Sequence, residues 1–141
     1  MRKDRSGPPS LRFVWPLGAL VAFVGCGPNL TVRNATVTWN ATTKVATAEV
    51  ANIGNRPAGE FLVYFNGEEN PMSSNHRPQV RLPVAGLAAG TAVVLTADFA
   101  PLAHPDNASL GNVHRISITA DPKSQIAERR EDDNETTVPL P

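Results

Sequence analysis

The sequence predicts an all-β protein, an immunoglobulin-like antiparallel β-sandwich of about seven strands. Short runs rich in β-branched and aromatic residues recur at intervals of roughly ten to twenty residues, as strands of a sandwich do. The chain has ten glycines and thirteen prolines, scattered between these runs where turns are needed. After residue 25, no window shows the apolar spacing of a long α-helix. Together these observations favour two packed sheets joined by Greek-key connections.

The first three predicted strands follow one another closely. Leu30–Trp39 is rich in β-branched residues, and Lys44–Ile53 follows a polar turn, so the two runs suit a hairpin. Gly54 then begins a second turn, in which we expect it to take a positive φ. Pro57 cannot donate a ladder hydrogen bond, which separates this turn from Phe61–Asn66, a third strand with strong aromatic content.

The remaining four predicted strands alternate with polar connections. A long polar loop, Gly67–Pro78, precedes Gln79–Val84, which its flanking prolines mark as an edge strand. Thr91–Phe99 carries apolar residues at every second position, so one of its faces is expected to be buried. Val113–Ala120 continues the pattern, and Thr136–Leu140 closes the chain.

The distribution of charge excludes one class of function. Residues 1–25 hold four basic residues and one acid, whereas the other 116 residues hold nine basic residues and twelve acids. A mildly acidic domain has no electrostatic attraction for a phosphate backbone, so we expect no nucleic-acid partner. The 141 residues leave room for one ordinary domain.

The first 25 residues predict a cleavable signal peptide. A basic segment ending at Arg12 precedes the apolar run Phe13–Val24, which is twelve residues long. Because a membrane span needs about 20 apolar residues, this run is too short to cross a bilayer. Its length and basic flank are those of a secretory signal.

The apolar run ends in Ala22-Phe23-Val24-Gly25-Cys26-Gly27, which resembles the lipobox of bacterial lipoproteins. The resemblance implies cleavage before Cys26 and lipid attachment there, because only a thiol accepts the diacylglycerol thioether. The alternative is that Cys26 merely ends a buried apolar stretch. Cys26 is the single cysteine, so an intramolecular disulfide is excluded.

The lipobox resemblance divides the chain into three parts. Residues 1–25 are the predicted signal peptide, residues 26–29 the lipidated N-terminus with a short spacer, and residues 30–141 the sandwich. The membrane is then a partner through the lipid on Cys26, since two or more acyl chains give stable anchoring. Gly27 stands where an acidic residue favours retention in the inner membrane. The resemblance therefore favours the outer membrane if the cell is Gram-negative.

Three segments also resemble one known family in order and spacing. They are Ala48–Gly54 followed by Ala58–Phe61, then Gly86–Leu95, and last Asp121–Asn134. This family is the cell-adhesion-related domain found in bacteria, abbreviated CARDB, and the resemblance covers about residues 30–140. It implies a β-sandwich with a non-enzymatic role in adhesion or assembly at the cell envelope.

The polar loop between the third and fourth strands is the candidate recognition surface. Sandwich folds present ligands to loops that a rigid scaffold holds at one end, and an envelope protein or a polysaccharide is the expected partner. The preceding aromatics, Phe61, Tyr64 and Phe65, either contribute to this surface or belong to the core. The candidate surface residues are Glu68, Glu69, Asn70, Asn75, His76 and Arg77.

The acidic C-terminal hairpin offers an alternative function. Calcium takes carboxylate and amide oxygens, so the alternative is a calcium-dependent or enzymatic extracytoplasmic domain that uses this hairpin. The D-x-D-x-D-G spacing of a calcium loop is missing, and two arginines neutralise part of the charge, so a solvated turn is the competing interpretation. No motif of nucleophilic, phosphate-binding or metal-dependent catalysis occurs, and we expect no enzyme. The candidate ligands are Asp121, Glu128, Glu131 and Asp133.

Overall fold

The computed structural model describes residues 26–69, 77–102 and 108–141, so the predicted signal peptide lies outside it. The described chain contains two short 3₁₀ helices, Ala100–Leu102 and Ala108–Asn112, and its other regular elements are strands. This confirms the all-β prediction. The seven strands are β1 Leu30–Trp39, β2 Lys44–Asn52, β3 Phe61–Glu69, β4 Gln79–Val84, β5 Ala92–Asp98, β6 Val113–Ala120 and β7 Glu135–Pro139.

The strands form two antiparallel sheets that pack face to face. One sheet has three strands in the order β1-β2-β5, and the other has four in the order β4-β3-β6-β7. The chain therefore crosses from one sheet to the other after β2, after β4 and after β5. This is the immunoglobulin-like sandwich that the turn spacing predicted.

The core lies between the sheets and is built from alternating residues. Phe61, Val63 and Phe65 of β3 are at most 1% exposed, since successive side chains of a strand point to opposite faces. The aromatic residues of β3 thus divide, and Phe61 and Phe65 belong to the core. At one end of the sandwich Trp39 packs on Phe99, with ring centroids 5.5 Å apart.

The third strand is longer than predicted. Gly67, Glu68 and Glu69 continue β3 and pair with β6, so the prediction that the loop begins at Gly67 is wrong. Gly67 fits this position because a Cβ there would lie 2.7 Å from Pro78 Cγ and 3.1 Å from Val113 Cγ2. The polar composition of these residues signalled a loop, whereas cross-strand pairing decided their conformation.

Candidate functional site

Because the strands are antiparallel, the connections between them lie at two opposite ends of the sandwich, which we call poles. The proximal pole consists of residues 26–29 and of the connections 53–60, 85–91 and 121–134. The distal pole holds the connection 40–43, the two 3₁₀ helices, and the facing ends of β3 and β4 at Glu69 and Gln79. A nine-residue strand such as β3 spans about 30 Å, which is the approximate separation of the poles.

Residues 27–29 do not form a free spacer. The Gly27 amide donates to Asn55 Oδ1 at 3.0 Å, and the Asn55 amide donates back to the Gly27 carbonyl at 3.2 Å. The Ile53 amide donates to the Asn29 carbonyl at 2.8 Å, and the Arg129 amide donates to the Pro28 carbonyl at 3.1 Å. This segment is thus bonded on two sides, and Cys26 lies exposed beside it.

Gly54 is required by close packing, and the expectation that it takes a positive φ is wrong. The glycines with positive φ in the described chain are Gly86 and Gly90. A Cβ on Gly54 would lie 2.4 Å from the Gly27 carbonyl oxygen and 2.6 Å from the Asn29 nitrogen. Both contacts are with backbone, so only glycine lets the N-terminal segment approach this turn.

Asn52 joins the segments of the proximal pole, although no site role was predicted for it. Its side chain is fully buried. Oδ1 accepts hydrogen bonds from the amides of Asn29 at 3.1 Å and Gly54 at 3.0 Å. Nδ2 donates to the carbonyls of Arg56 at 2.8 Å and Leu87 at 3.0 Å. Asn52 stands two residues before Gly54, in a segment that resembles CARDB, but this spacing does not reveal which way the side chain points.

The C-terminal loop is closed by its own acidic residues. Asp121 is buried and has a φ of 45°. Its Oδ2 accepts a hydrogen bond from the Ile126 amide at 2.6 Å. This bond spans five residues and closes the first part of the loop. Ile126 packs against the core and so fixes the position of the loop beside it.

Glu128 ties this loop to the first strand. Its Oε2 accepts a hydrogen bond from the Leu30 amide at 2.5 Å, and its Oε1 accepts one from Asn134 Nδ2 at 2.9 Å. Burial raises the pKa of Glu128 from the usual 4.5 to about 7, and the negative charges of Glu131 and Asp121 act in the same direction. The bonds from Leu30 and Asn134 favour the ionised form and act against this shift.

The raised pKa of Glu128 predicts a loss of stability with rising pH. Between pH 4.5 and about 7 the folded protein holds a proton that the unfolded chain releases, so the free energy of unfolding falls as pH rises through this range. Glu128→Gln should remove this slope, because a glutamine amide does not titrate. Thermal melts across the range test this, with Glu60→Gln as the matched carboxyl-to-amide control on an exposed residue. Equal slopes in all three proteins would contradict the assignment.

The four candidate metal ligands lie in one loop but do not converge. Within the described ranges, no group of three or more His, Cys, Asp or Glu side chains is placed to hold a metal ion. Asp133 Oδ2 accepts a hydrogen bond from Asn29 Nδ2 at 3.1 Å. Glu131 Oε1 accepts a long hydrogen bond from the Glu128 amide at 3.4 Å. In this arrangement the carboxylates of the hairpin mainly bond the chain itself.

Three residues of the candidate recognition surface lie at the distal pole. Glu68 forms an ion pair with Arg115 across the strands, Glu69 is buried, and Arg77 is exposed. Asn70, Asn75 and His76 lie outside the described residues. The described ends of this loop thus lie at the pole opposite Cys26. Tyr64 faces outward on the same sheet, where the Arg81 guanidinium lies 5.0 Å from its ring centroid.

These features define an immunoglobulin-like sandwich module with a packed N-terminal segment at one pole and the ends of the polar β3–β4 connection at the other. The chain belongs to the CARDB family, whose model matches residues 27–138. The match begins at residue 27, which agrees with the packing of residues 27–29 onto the domain. The family resemblance that the sequence motifs carried is confirmed.

Two of the solved structures that match this chain illustrate the shared fold. The CARDB domain of a Pyrococcus furiosus protein, crystallised in complex with di-metal ions, is 20% identical with a TM-score of 0.55, covering 81% of this chain and 87% of that one. A domain of a candidate cell-surface protein from Methanosarcina acetivorans is 18% identical with a TM-score of 0.58, covering 80% of this chain and 90% of that one. At these identities the similarity shows the fold alone.

Comparison with curated protein sequences finds no match. In the part of the chain that the structure describes, no helix is long and apolar enough to cross a membrane.

Proposed function

We propose that this chain is a lipid-anchored, non-enzymatic module of the bacterial cell envelope. In this proposal acylated Cys26 holds the proximal pole, and the distal pole contacts an envelope protein or a polysaccharide. The observation that carries it is the direction of the strands. Cys26 and the ends of the candidate recognition loop lie at opposite poles, about 30 Å apart for strands of this length.

The distal pole suits a contact surface because it faces away from the anchor. The loop between Glu69 and Arg77 emerges there from two paired strands, so a rigid scaffold sets the position of both of its ends. Recognition residues commonly lie on loops held in this way. Membership in CARDB, an adhesion-related family, supports the same function, and the similarity to the Methanosarcina acetivorans domain supports a location at the cell surface.

The bonding at the proximal pole supports a non-enzymatic function. Asn52 bonds the backbone of neighbouring segments, Asp121 Oδ2 accepts from the Ile126 amide, and Glu128 accepts from the Leu30 amide and Asn134 Nδ2. Catalytic side chains instead converge on a position where a reacting atom can sit. These groups therefore serve to hold the loops and the N-terminal segment together.

The lipid anchor is tested by the intact mass of the protein in the membrane fraction. The wild-type protein should begin at Cys26 and carry the added mass of a diacyl or triacyl lipid. Cys26→Ala should stay uncleaved or unlipidated, because no other residue can form the thioether. Gly27→Ala is the matched control, and it should be lipidated because it keeps the Cys26 thiol. Its Cβ would meet only the Ala127 carbonyl oxygen at 3.9 Å, so the fold is undisturbed.

A wild-type mass without the added lipid would contradict the proposed lipid anchor. If the wild-type protein is cleaved elsewhere, or is recovered soluble without lipid, the domain is a freely secreted sandwich. Its partners would then be sought among soluble extracellular molecules. Melting of the Cys26→Ala protein should match that of the wild-type domain, because Cys26 is exposed.

The acidic loop carries a second candidate function, a calcium-dependent domain. Oδ1 of Asp121, Asp133 and Asn134 is buried without a hydrogen-bond partner within the described chain. The structure of the Pyrococcus furiosus CARDB domain contains di-metal ions. A calcium ion bound only by the folded state would raise Tm over that in a chelator, and Asp133→Asn would weaken the rise. An equal Tm in calcium and in chelator would assign the loop to structure alone.

A further inference from the structure

In the proposed anchor, almost no flexible chain separates the lipid on Cys26 from the folded domain. Cys26 is joined through one peptide bond to Gly27, whose amide and carbonyl are both bonded to Asn55. Asn55 Nδ2 also lies 3.7 Å from Cys26 Sγ, the atom that would carry the diacylglycerol. Adjacent Cα atoms are about 3.8 Å apart, so the lipid begins at the surface of the folded domain.

The surface beside this sulfur exposes an apolar side chain. Ile53 is 55% exposed, one of two large hydrophobic residues that are largely exposed in the described chain. It lines an open cleft of about 350 Å³ together with Gly27, Asn55 and Arg129. An exposed isoleucine at the base of a membrane anchor can enter the boundary between headgroups and acyl chains.

Cations lie at the rim of the same surface. Arg56 and Arg129 are exposed, and the Arg129 guanidinium forms no ion pair within the described ranges. Arg130 lines the cleft but is paired with Asp132. One acidic residue, Asp133, lines the cleft, and its carboxylate accepts a hydrogen bond from Asn29. The exposed acidic residues of this pole are Glu60, Glu131 and Asp132. Unpaired arginines next to the anchor are therefore available to the phosphates of lipid headgroups.

We propose that the proximal pole rests directly on the bilayer, with the turn 53–56 and the side chain of Arg129 at the level of the lipid headgroups. This inference rests on the proposed acylation of Cys26. The domain then stands end-on. Its strands lead away from the membrane, and the distal pole is presented about 30 Å above it. The anchor thus fixes the orientation of the domain, which a flexible linker would leave free.

The test is quenching of tryptophan fluorescence by lipids with brominated acyl chains. Mature lipoprotein is purified from membranes and reconstituted into phosphatidylethanolamine–phosphatidylglycerol vesicles that contain the brominated lipid. The sequence has two tryptophans, and Trp15 lies in the predicted signal, so wild-type mature protein reports from Trp39 alone. In a Trp39→Phe background, Ile53→Trp reports from the proximal pole. Val94→Trp is the matched control on β5, where Val94 is 63% exposed.

The end-on orientation predicts that the Ile53→Trp protein loses most of its fluorescence, whereas Trp39 and the Val94→Trp protein keep theirs. Equal quenching at the three positions, or strongest quenching of Val94→Trp, would overturn the proposal, because the domain would then tumble or lie on its three-stranded sheet. The intact mass of each sample distinguishes failure of the proposed orientation from failure of the proposed lipid anchor. An acylated protein with unquenched Ile53→Trp overturns the orientation alone, and a protein without the acyl mass overturns the anchor and the orientation together.

Discussion

Replacing Asn52 by alanine is expected to lower the free energy of unfolding by about 3 kcal/mol. The substitution removes the four hydrogen bonds that join the amides of Asn29 and Gly54 to the carbonyls of Arg56 and Leu87. The bonds to Asn29 and Leu87 are buried, so water cannot replace them easily. Each unsatisfied buried group costs about 1–3 kcal/mol. Tm should fall by roughly 10 °C or more for a domain of this size.

The matched control for this prediction is Asn112→Ala. Asn112 is exposed at the end of the second 3₁₀ helix, and its side chain makes no hydrogen bond within the described chain. Its replacement should leave Tm within about 2 °C of wild type, as most exposed substitutions do. If Asn52→Ala melts together with Asn112→Ala, Asn52 does not hold the proximal pole together.

Gly54→Ala is the substitution with the second largest expected effect. The new Cβ would lie 2.4 Å from the Gly27 carbonyl oxygen and 2.7 Å from the carbonyl carbon of Pro28, so the N-terminal segment must move away. We expect a loss of about 2 kcal/mol, in the range for overpacked sites. Amide hydrogen exchange should also accelerate at Ile53, whose bond to the Asn29 carbonyl depends on this contact.

Gly111→Ala is the control because a Cβ on Gly111 would meet nothing within 4 Å. It should melt and exchange like wild type. Unchanged exchange at Ile53 in the Gly54→Ala protein would show that residues 27–29 are not packed on this turn. In the acylated protein, Gly54→Ala should also loosen the packing of residues 27–29 on the domain. The difference in fluorescence quenching between Ile53→Trp and Trp39 should then become smaller.

The candidate sites were predicted less completely than the fold. The sequence drew attention to Asp121, Glu128 and Asp133 because carboxylates are visible as possible ligands. It gave no sign that Glu128 bonds the Leu30 amide, since that contact joins residues 98 positions apart. Asn52 was visible only as part of a turn motif. Burial and long-range partners decide whether such side chains bind a ligand or hold the chain, and a local pattern contains neither.

The sequence by itself determined the fold class and most strand positions. The boundaries of β1, β4 and β6 agree with the predicted runs, because alternation and turn residues act over a few neighbouring positions. Only the tertiary structure decided that β3 extends to Glu69, since pairing with β6 supplies partners for its polar backbone. Only packing decided that Gly54 and Asn52 hold residues 27–29 against the domain. Such contacts form between segments that are far apart in the sequence and come together at one pole. Local sequence patterns do not predict contacts of this kind.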